Sequence, residues 1–109
     1  MLQAGQEESL MKLQNFVVRR IHYNFSAMEE RPKNATVQEY GCSMLGNLAV
    51  NYNNRATIAA NQGITIILSA MNIEWYCAVL YGCTALQKLV VNTDKNKLTI
   101  AAEDGIITT

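Results

Sequence analysis

The sequence predicts an all-α protein, a solenoid of three-helix repeats with about two and a half units. The first observation is a motif that occurs twice: Tyr40-Gly41-Cys42 recurs as Tyr81-Gly82-Cys83, and residues 57–60 recur as residues 99–102. The offset is about 41 residues at the start of the match and about 42 at its end. The second observation is that apolar residues recur every three or four positions, as in helices. A helical repeat of this length cannot bury its apolar face alone, so its units are expected to stack.

Length and charge limit the classes of function. The chain has 109 residues, half of them apolar, which suffices for one domain with one core. Its formal net charge is zero, so neither nucleic acid nor an anionic membrane is expected as a partner, because both need a basic surface. Residues 1–8 have no secretory-signal pattern, and no stretch approaches the roughly 20 apolar residues of a membrane span. We therefore expect an intracellular protein, cytoplasmic or nuclear.

The first helical segment is expected to follow a polar lead. Residues 1–8 carry little apolar area and are predicted to be disordered or frayed, with Ser9 as the N-cap of the next helix. Apolar residues at spacings of three and four then predict one well-buried face. Its members are Leu10, Leu13, Phe16, Val17, Ile21 and Phe25.

This segment can be one helix or two. Ile21 and Ser26-Ala27-Met28 match Ile64 and Ser69-Ala70-Met71 at an offset of 43 residues, which indicates a divergent first unit with two helices. A glycine precedes Ile64, whereas Arg20 precedes Ile21 and lacks the freedom for a sharp turn. A single straight helix is therefore the alternative.

The remaining elements follow the repeat. Residues 29–34 surround the only proline and are predicted to form a loop. Asn34 or Thr36 caps the next helix, which runs to about Val50. The later predicted helices span residues 55–61, 64–71, 74–91 and 97–103. The unit boundaries that we predict are 9–50 for a divergent first unit, 51–91 for the second and 92–109 for a truncated third.

Four glycines have predicted roles. Gly41 recurs as Gly82 inside a helix, where a glycine costs about 1 kcal/mol relative to alanine. We expect both at a close helix contact that a Cβ atom would prevent. Gly63 recurs as Gly105, and both are expected to end a short helix in a left-handed turn.

The repeated pattern resembles the armadillo repeat. The resemblance rests on Gly41-Cys42, on Leu45-Gly46-Asn47-Leu48-Ala49, and on Ile58 followed by Gly63-Ile64, and it covers residues 36–107. It implies a right-handed superhelix whose third helices line a concave groove that receives extended peptides or partner proteins.

Peptide-binding members of that family often carry a tryptophan on the third helix and an asparagine four residues later. This sequence has Ser43 and Asn47 at those positions, and Thr84 and Lys88 in the next unit. The asparagine is kept once and the tryptophan is absent from both units.

Helical spacing independently places six residues in two neighbouring rows of the third helices. These residues are Glu39, Ser43, Asn47, Leu80, Thr84 and Lys88. We predict that this strip binds a protein or an extended peptide, with Asn47 as the central contact because an asparagine has no helix-propensity advantage. The alternative is that both rows are the solvated side of two helices.

Aromatic residues outside the rows have competing interpretations. The recurrence of Tyr40 as Tyr81 beside Gly-Cys favours packing between repeats over exposed anchors for a partner. Trp75 has no repeat counterpart and is either an interface hot spot or buried against the preceding helix.

No catalytic or cofactor site is expected. The three cysteines do not form a disulfide framework, and with the lone His22 they lack the spacing of zinc ligands. We interpret them as reduced core residues and the protein as non-enzymatic, because the sequence has no nucleophile elbow, phosphate loop or carboxylate pair.

A second functional hypothesis is self-association. Ile106 and Ile107 stand where the next helix of a stack would begin. An uncapped repeat end exposes a stacking face, so the chain is either a piece of a longer array or a homo-oligomer through these residues.

Overall fold

The structure, a computed structural model, describes residues 3–72 and 76–103. The described residues form six α-helices and no strands, so the all-α prediction is confirmed. The helices are α1 (Ala4–Glu30), α2 (Ala35–Leu48), α3 (Tyr52–Ala60), α4 (Gly63–Met71), α5 (Tyr76–Leu89) and α6 (Asp94–Glu103). The most extensive contact between elements joins α2 and α5, with α4 against α5 and α1 against α2 next.

The first segment is a single helix, so the two-helix interpretation is wrong and the straight alternative is confirmed. α1 begins at Ala4, before the expected N-cap Ser9, because the Gln3 backbone N–H donates to Gln6 Oε1 at 3.0 Å. The described part of the predicted frayed lead is therefore helical. A glutamine side chain thus supplies the local cap that Ser9 was expected to supply.

The predicted burial of the first half of α1 is also wrong. Leu10 and Leu13 are 51% and 59% exposed, whereas Ile21, Phe25 and Met28 are buried. The repeat offset explains the difference: Asn15 stands at the position of Ile58, a core residue of the next segment. Folding residues 4–19 back onto the core would bury that amide, and the straight helix keeps it in solvent.

One continuous core joins the helices. Its larger members come from every helix: Ile21, Phe25, Leu45, Ile58, Ile64, Ile67, Leu68, Leu86, Leu89 and Ile100. Equivalent positions of the sequence repeat share equivalent burial, as with Ile21 and Ile64 or Phe25 and Leu68. The same apolar spacing therefore contributes to the core in both copies.

Gly41 and Gly82 make the close contacts that their recurrence predicts. A Cβ atom on Gly41 would lie 2.5 Å from Met28 Sδ, and one on Gly82 would lie 2.7 Å from Met71 Sδ. Met28 and Met71 are themselves repeat equivalents. Each glycine therefore allows its helix to approach the preceding helix at the same place.

The turn between α3 and α4 is left-handed, but not at the predicted residue. Gln62 adopts φ 65°, and no described glycine has a positive φ. Gly63 is needed for space: a Cβ atom there would lie 2.7 Å from Ile58 O and 2.9 Å from Phe25 Cζ. Gly105 lies outside the described residues.

Buried amides close the carboxyl ends of the long helices. Gln38 Nε2 donates to Met28 O and Arg31 O, Asn54 Nδ2 donates to Leu48 O at 3.0 Å, and Asn96 Nδ2 donates to Leu89 O at 2.7 Å. All three side chains are buried. Carbonyls at a helix end lack intrahelical partners, so these bonds stabilise each end.

Candidate functional site

A groove of about 250 Å³ runs between α2 and α5. Five of the six residues predicted to bind a partner line it, and three further residues complete its walls. The predicted members are Ser43, Asn47, Leu80, Thr84 and Lys88, and the additional ones are Cys42, Gly46 and Tyr81.

Close packing of α2 on α5 sets the depth of this groove. A Cβ atom on Gly46 would lie 3.5 Å from Ala85 Cα, so the two backbones approach closely there. Cys42 and Ala85 are fully buried beside this contact. Gly46 lies at this contact, but an added Cβ atom would meet Ala85 at ordinary contact distance, so space alone does not require a glycine there.

The groove offers mixed polar chemistry on solvent-accessible side chains. Asn47 is exposed, and Ser43, Thr84 and Lys88 are half-buried. An asparagine amide both donates and accepts, and a lysine ammonium donates three hydrogen bonds and carries a charge. Thr84 Oγ1 donates to Leu80 O within its own helix, so it presents acceptor lone pairs to a ligand.

Leu80 supplies the apolar wall. Its side chain is exposed and stands one helical turn before Thr84. Tyr81, on the same wall, packs partly against the core. The recurrence of Tyr81 favoured packing over a role as an exposed anchor, and its spacing of three residues from Thr84 could have indicated its place at the groove.

Glu39 is the predicted residue that does not line the groove. It lies one turn before Ser43 on α2 and is half-buried. Lys88 is therefore the charged residue among those lining the groove. The local electrostatics favour a carboxylate over a cationic group in a ligand.

Two further predictions fall outside the described residues. Trp75, for which both a hot spot and burial were considered, is one of them. Ile106 and Ile107, predicted for self-association, are the others. They stay predictions.

The tyrosines and cysteines of the repeated motif differ between the copies. Tyr81 packs against the core, whereas Tyr40 is exposed. Cys42 is buried, whereas Cys77 and Cys83 are exposed, so the interpretation of all three cysteines as core residues is wrong for two of them. Burial raises the pKa of the Cys42 thiol from 9.0 to about 12.

The other charged and titratable side chains near α1 do not form a site. His22, Arg19 and the Glu29-Glu30 pair are exposed, and the Arg20 guanidinium lies 4.8 Å from the centre of the Phe16 ring. Within residues 3–72 and 76–103, no three His, Cys, Asp or Glu side chains come together as metal ligands. Across the same residues, no helix combines the length and apolar content that a membrane span requires.

A larger groove, of about 350 Å³, lies between α3 and α6. Tyr52, Asn92, Lys95 and Thr99 are among its lining residues. The small residues Ala56, Ala59 and Ala60 also line it. It contains none of the residues in the two predicted rows.

Comparison with known proteins adds no relative. No protein-family model, curated protein or solved structure matches this chain. Assignment of a function therefore depends on the geometry of the groove and on the sequence repeat.

Proposed function

We propose that the protein is a non-enzymatic interaction module that binds an extended segment of a partner protein in the groove between α2 and α5. The observation that supports this proposal is that five of the six residues predicted from the resemblance and from helical spacing line one groove. An armadillo-like arrangement of the repeats, proposed on the same sequence pattern, would give that groove its concave position.

The ligand class follows from the groove's groups. An extended peptide presents unpaired backbone amides, which an exposed asparagine amide can satisfy with both a donor and an acceptor. Lys88 favours an acidic side chain at the adjacent position of the peptide. Leu80 offers a contact for one apolar side chain. The proposed ligand is therefore a mixed acidic and apolar linear segment.

The proposed experiment begins with selection. A displayed library of random linear peptides is selected on the wild-type chain, and the enriched peptides are measured by fluorescence anisotropy. We expect enrichment of acidic residues and an affinity that falls with added salt, because Lys88 is partly exposed. Enrichment of basic peptides would contradict the proposed ligand class.

Variants locate the binding site. Asn47→Ala and Lys88→Ala are each expected to weaken the selected peptide by about tenfold while the melting temperature stays within a few degrees. Asn53→Ala and Lys95→Ala are matched controls, because both residues are exposed on helices away from this groove. Equal losses in the controls, or indifference of the Asn47 and Lys88 variants, would refute the assignment.

A further inference from the structure

We propose that two copies of this chain associate head to tail, with α5 of one copy packing on α2 of the next. The contact would repeat, between copies, the packing of α2 on α5 that the chain makes internally. The contacting faces of α2 and α5 lie beside the groove and contain none of the six predicted binding residues.

The contact between α2 and α5 within one chain shows which residues each helix contributes to it. On α2, Cys42 and Gly46 face α5; on α5, Tyr81 and Ala85 face α2. Cys42 and Ala85 are fully buried by this packing, and the α2–α5 pair makes the most extensive contact in the fold. The Gly-Cys face of one helix thus covers the Tyr-containing face of the other.

The repeat places a second example of each face on the surface. Tyr81 and Ala85 correspond to Tyr40 and Met44 at the offset of 41 residues, and this pair on α2 is named the head face. Tyr40 is 67% exposed and Met44 is 37% exposed. Ala85 is buried and Tyr81 half-buried in the second copy of the motif, whereas their equivalents in the first are exposed.

The opposite end carries the complementary surface. Cys42 and Gly46 correspond to Cys83 and Gln87, and this pair on α5 is named the tail face. Both residues are exposed. Each copy therefore presents one face of the internal contact at α2 and the other face at α5.

A second copy is the occupant that this correspondence supports. The surface that covers Tyr81 and Ala85 inside the chain is the face of α2 with Cys42 and Gly46, and the tail face of another copy keeps the cysteine as Cys83 and has Gln87 in place of the glycine. None of the four residues at the two faces is charged, so their approach meets no like-charge repulsion. Met44 and Gln87 are larger than Ala85 and Gly46, so we expect the two helices to stand further apart than α2 and α5.

A polar contact extends the same correspondence. Arg55 donates from Nε to Ala49 O, from Nη2 to Val50 O and, across to the end of α5, from Nη1 to Val91 O at 3.1 Å. Lys97 is its repeat equivalent, and Val50 is the equivalent of Val91. In the proposed assembly, Lys97 of one copy would donate to Val50 O of the next.

Light scattering after size exclusion over a micromolar concentration series tests the assembly. We expect the wild-type mass to rise with concentration beyond a dimer, because a head-to-tail contact leaves a free face at each end. Tyr40→Glu and Cys83→Glu should each keep the mass of one chain and lose more than about tenfold in association. Tyr23→Glu is the matched control, since that tyrosine is 66% exposed on α1, and it should assemble like wild type.

Mixing distinguishes head-to-tail from symmetric contact. The Tyr40→Glu variant retains its tail face and the Cys83→Glu variant retains its head face, so an equimolar mixture should give a dimer and nothing larger. A wild-type chain that stays monomeric, or two variants that fail to complement each other although both keep wild-type helical circular dichroism, would overturn the proposal.

A crosslink tests the register independently. A Cβ atom on Gly46 would lie 3.7 Å from Ala85 Cβ, within the Cβ–Cβ range of disulfides. The equivalent pair between copies is Gln87 and Met44. A chain with Gln87→Cys and Met44→Cys, in a background of Cys77→Ser and Cys83→Ser, should form a ladder of covalent multimers on mild oxidation. Either single cysteine variant alone should stop at a dimer, and the absence of a ladder would overturn the register.

Discussion

α1 and the α3–α4 pair have related sequences and different shapes. Residues 21–28 match residues 64–71, yet α1 continues straight through the position where α3 ends and α4 begins. Two local differences account for this: Gly63 gives way to Arg20, and the core residue Ile58 gives way to Asn15. Residues 21–28 thus keep the core positions of residues 64–71, while most of the preceding part of α1 is exposed.

The strongest test of the bend is Gly63→Ala. A Cβ atom there would press on the Ile58 carbonyl and on the Phe25 ring, and neither can move without shifting the turn. We expect the free energy of unfolding to fall by about 3 kcal/mol in urea denaturation. Gly46→Ala is the control: its Cβ would meet Ala85 at ordinary contact distance, so stability should hold or rise by up to about 1 kcal/mol. Similar losses of stability in the two variants would contradict the steric role of Gly63 at the bend.

The two buried asparagines, Asn54 and Asn96, test whether the carboxyl ends of α2 and α5 are stabilised in the same way. Asn54→Ala and Asn96→Ala each leave a helix-end carbonyl without its amide partner. Each is expected to lower the free energy of unfolding by about 2 kcal/mol in urea denaturation. Asn53→Ala, an exposed neighbour, should change it by less than about 0.5 kcal/mol. If only one of the two buried asparagines mattered, the helix ends would not be energetically equivalent.

Cys42 is buried whereas its repeat equivalent Cys83 is exposed, and this burial makes the stability of the fold depend on pH. The raised pKa of Cys42, about 12 against 9.0, means that the folded chain keeps a proton that the unfolded chain loses above pH 9. Stability from this group is therefore complete below pH 9 and falls by about 1.4 kcal/mol per pH unit up to about pH 12. Chemical denaturation of wild type and Cys42→Ala across this range isolates the contribution. Parallel pH profiles would contradict it.

Thiol labelling gives a kinetic version of the same test. In dilute solution, where the chain is monomeric, a maleimide should modify Cys77 and Cys83 rapidly, because both are exposed, and Cys42 only as the packing of α2 on α5 opens. Mass spectrometry of the time course distinguishes the sites. Fast modification of Cys42 would show that the α2–α5 contact is open in the native chain.

The smallest expected effect is that of Arg20→Gly. A glycine in the exposed middle of α1 should lower the free energy of unfolding by about 1 kcal/mol through helix propensity. We do not expect it to bend α1 by itself, because Asn15 would still have to enter the core. The combination with Asn15→Ile removes that obstacle, and protection of residues 4–19 from hydrogen exchange should then rise above the level in either single variant.

The sequence repeat predicted the parts of the fold that depend on local pattern. The helical class, the α2, α4 and α5 segments and the glycine contacts of Gly41 and Gly82 follow from periodicity and recurrence. The pattern predicts the single α1 helix only as one of two alternatives. Choosing between them requires knowing that a bend in α1 would bury Asn15, which depends on tertiary packing. Five of the six residues in the two predicted rows also line one groove.

Other features depend on tertiary geometry that no local pattern contains. In the turn between α3 and α4, Gln62 and not Gly63 adopts a positive φ. Gly63 is required there for space against Ile58 and Phe25. The exposure of Cys83 depends on what covers the outer side of α5, which its repeat position does not specify. The bonds from Gln38, Asn54 and Asn96 join groups six to ten residues apart, so their recognition requires the path of each turn.

Those amide bonds have a direction along the chain. The amide that closes a long helix always comes from residues later in the sequence: Gln38 for α1, Asn54 for α2 and Asn96 for α5. During synthesis from the amino terminus, a helix therefore stays incompletely capped until the start of the next helix has left the ribosome. The order of translation and the order of stabilisation coincide for these amide bonds, and a chain cut between Leu89 and Asn96 would lack the amide that bonds the Leu89 carbonyl at the end of α5.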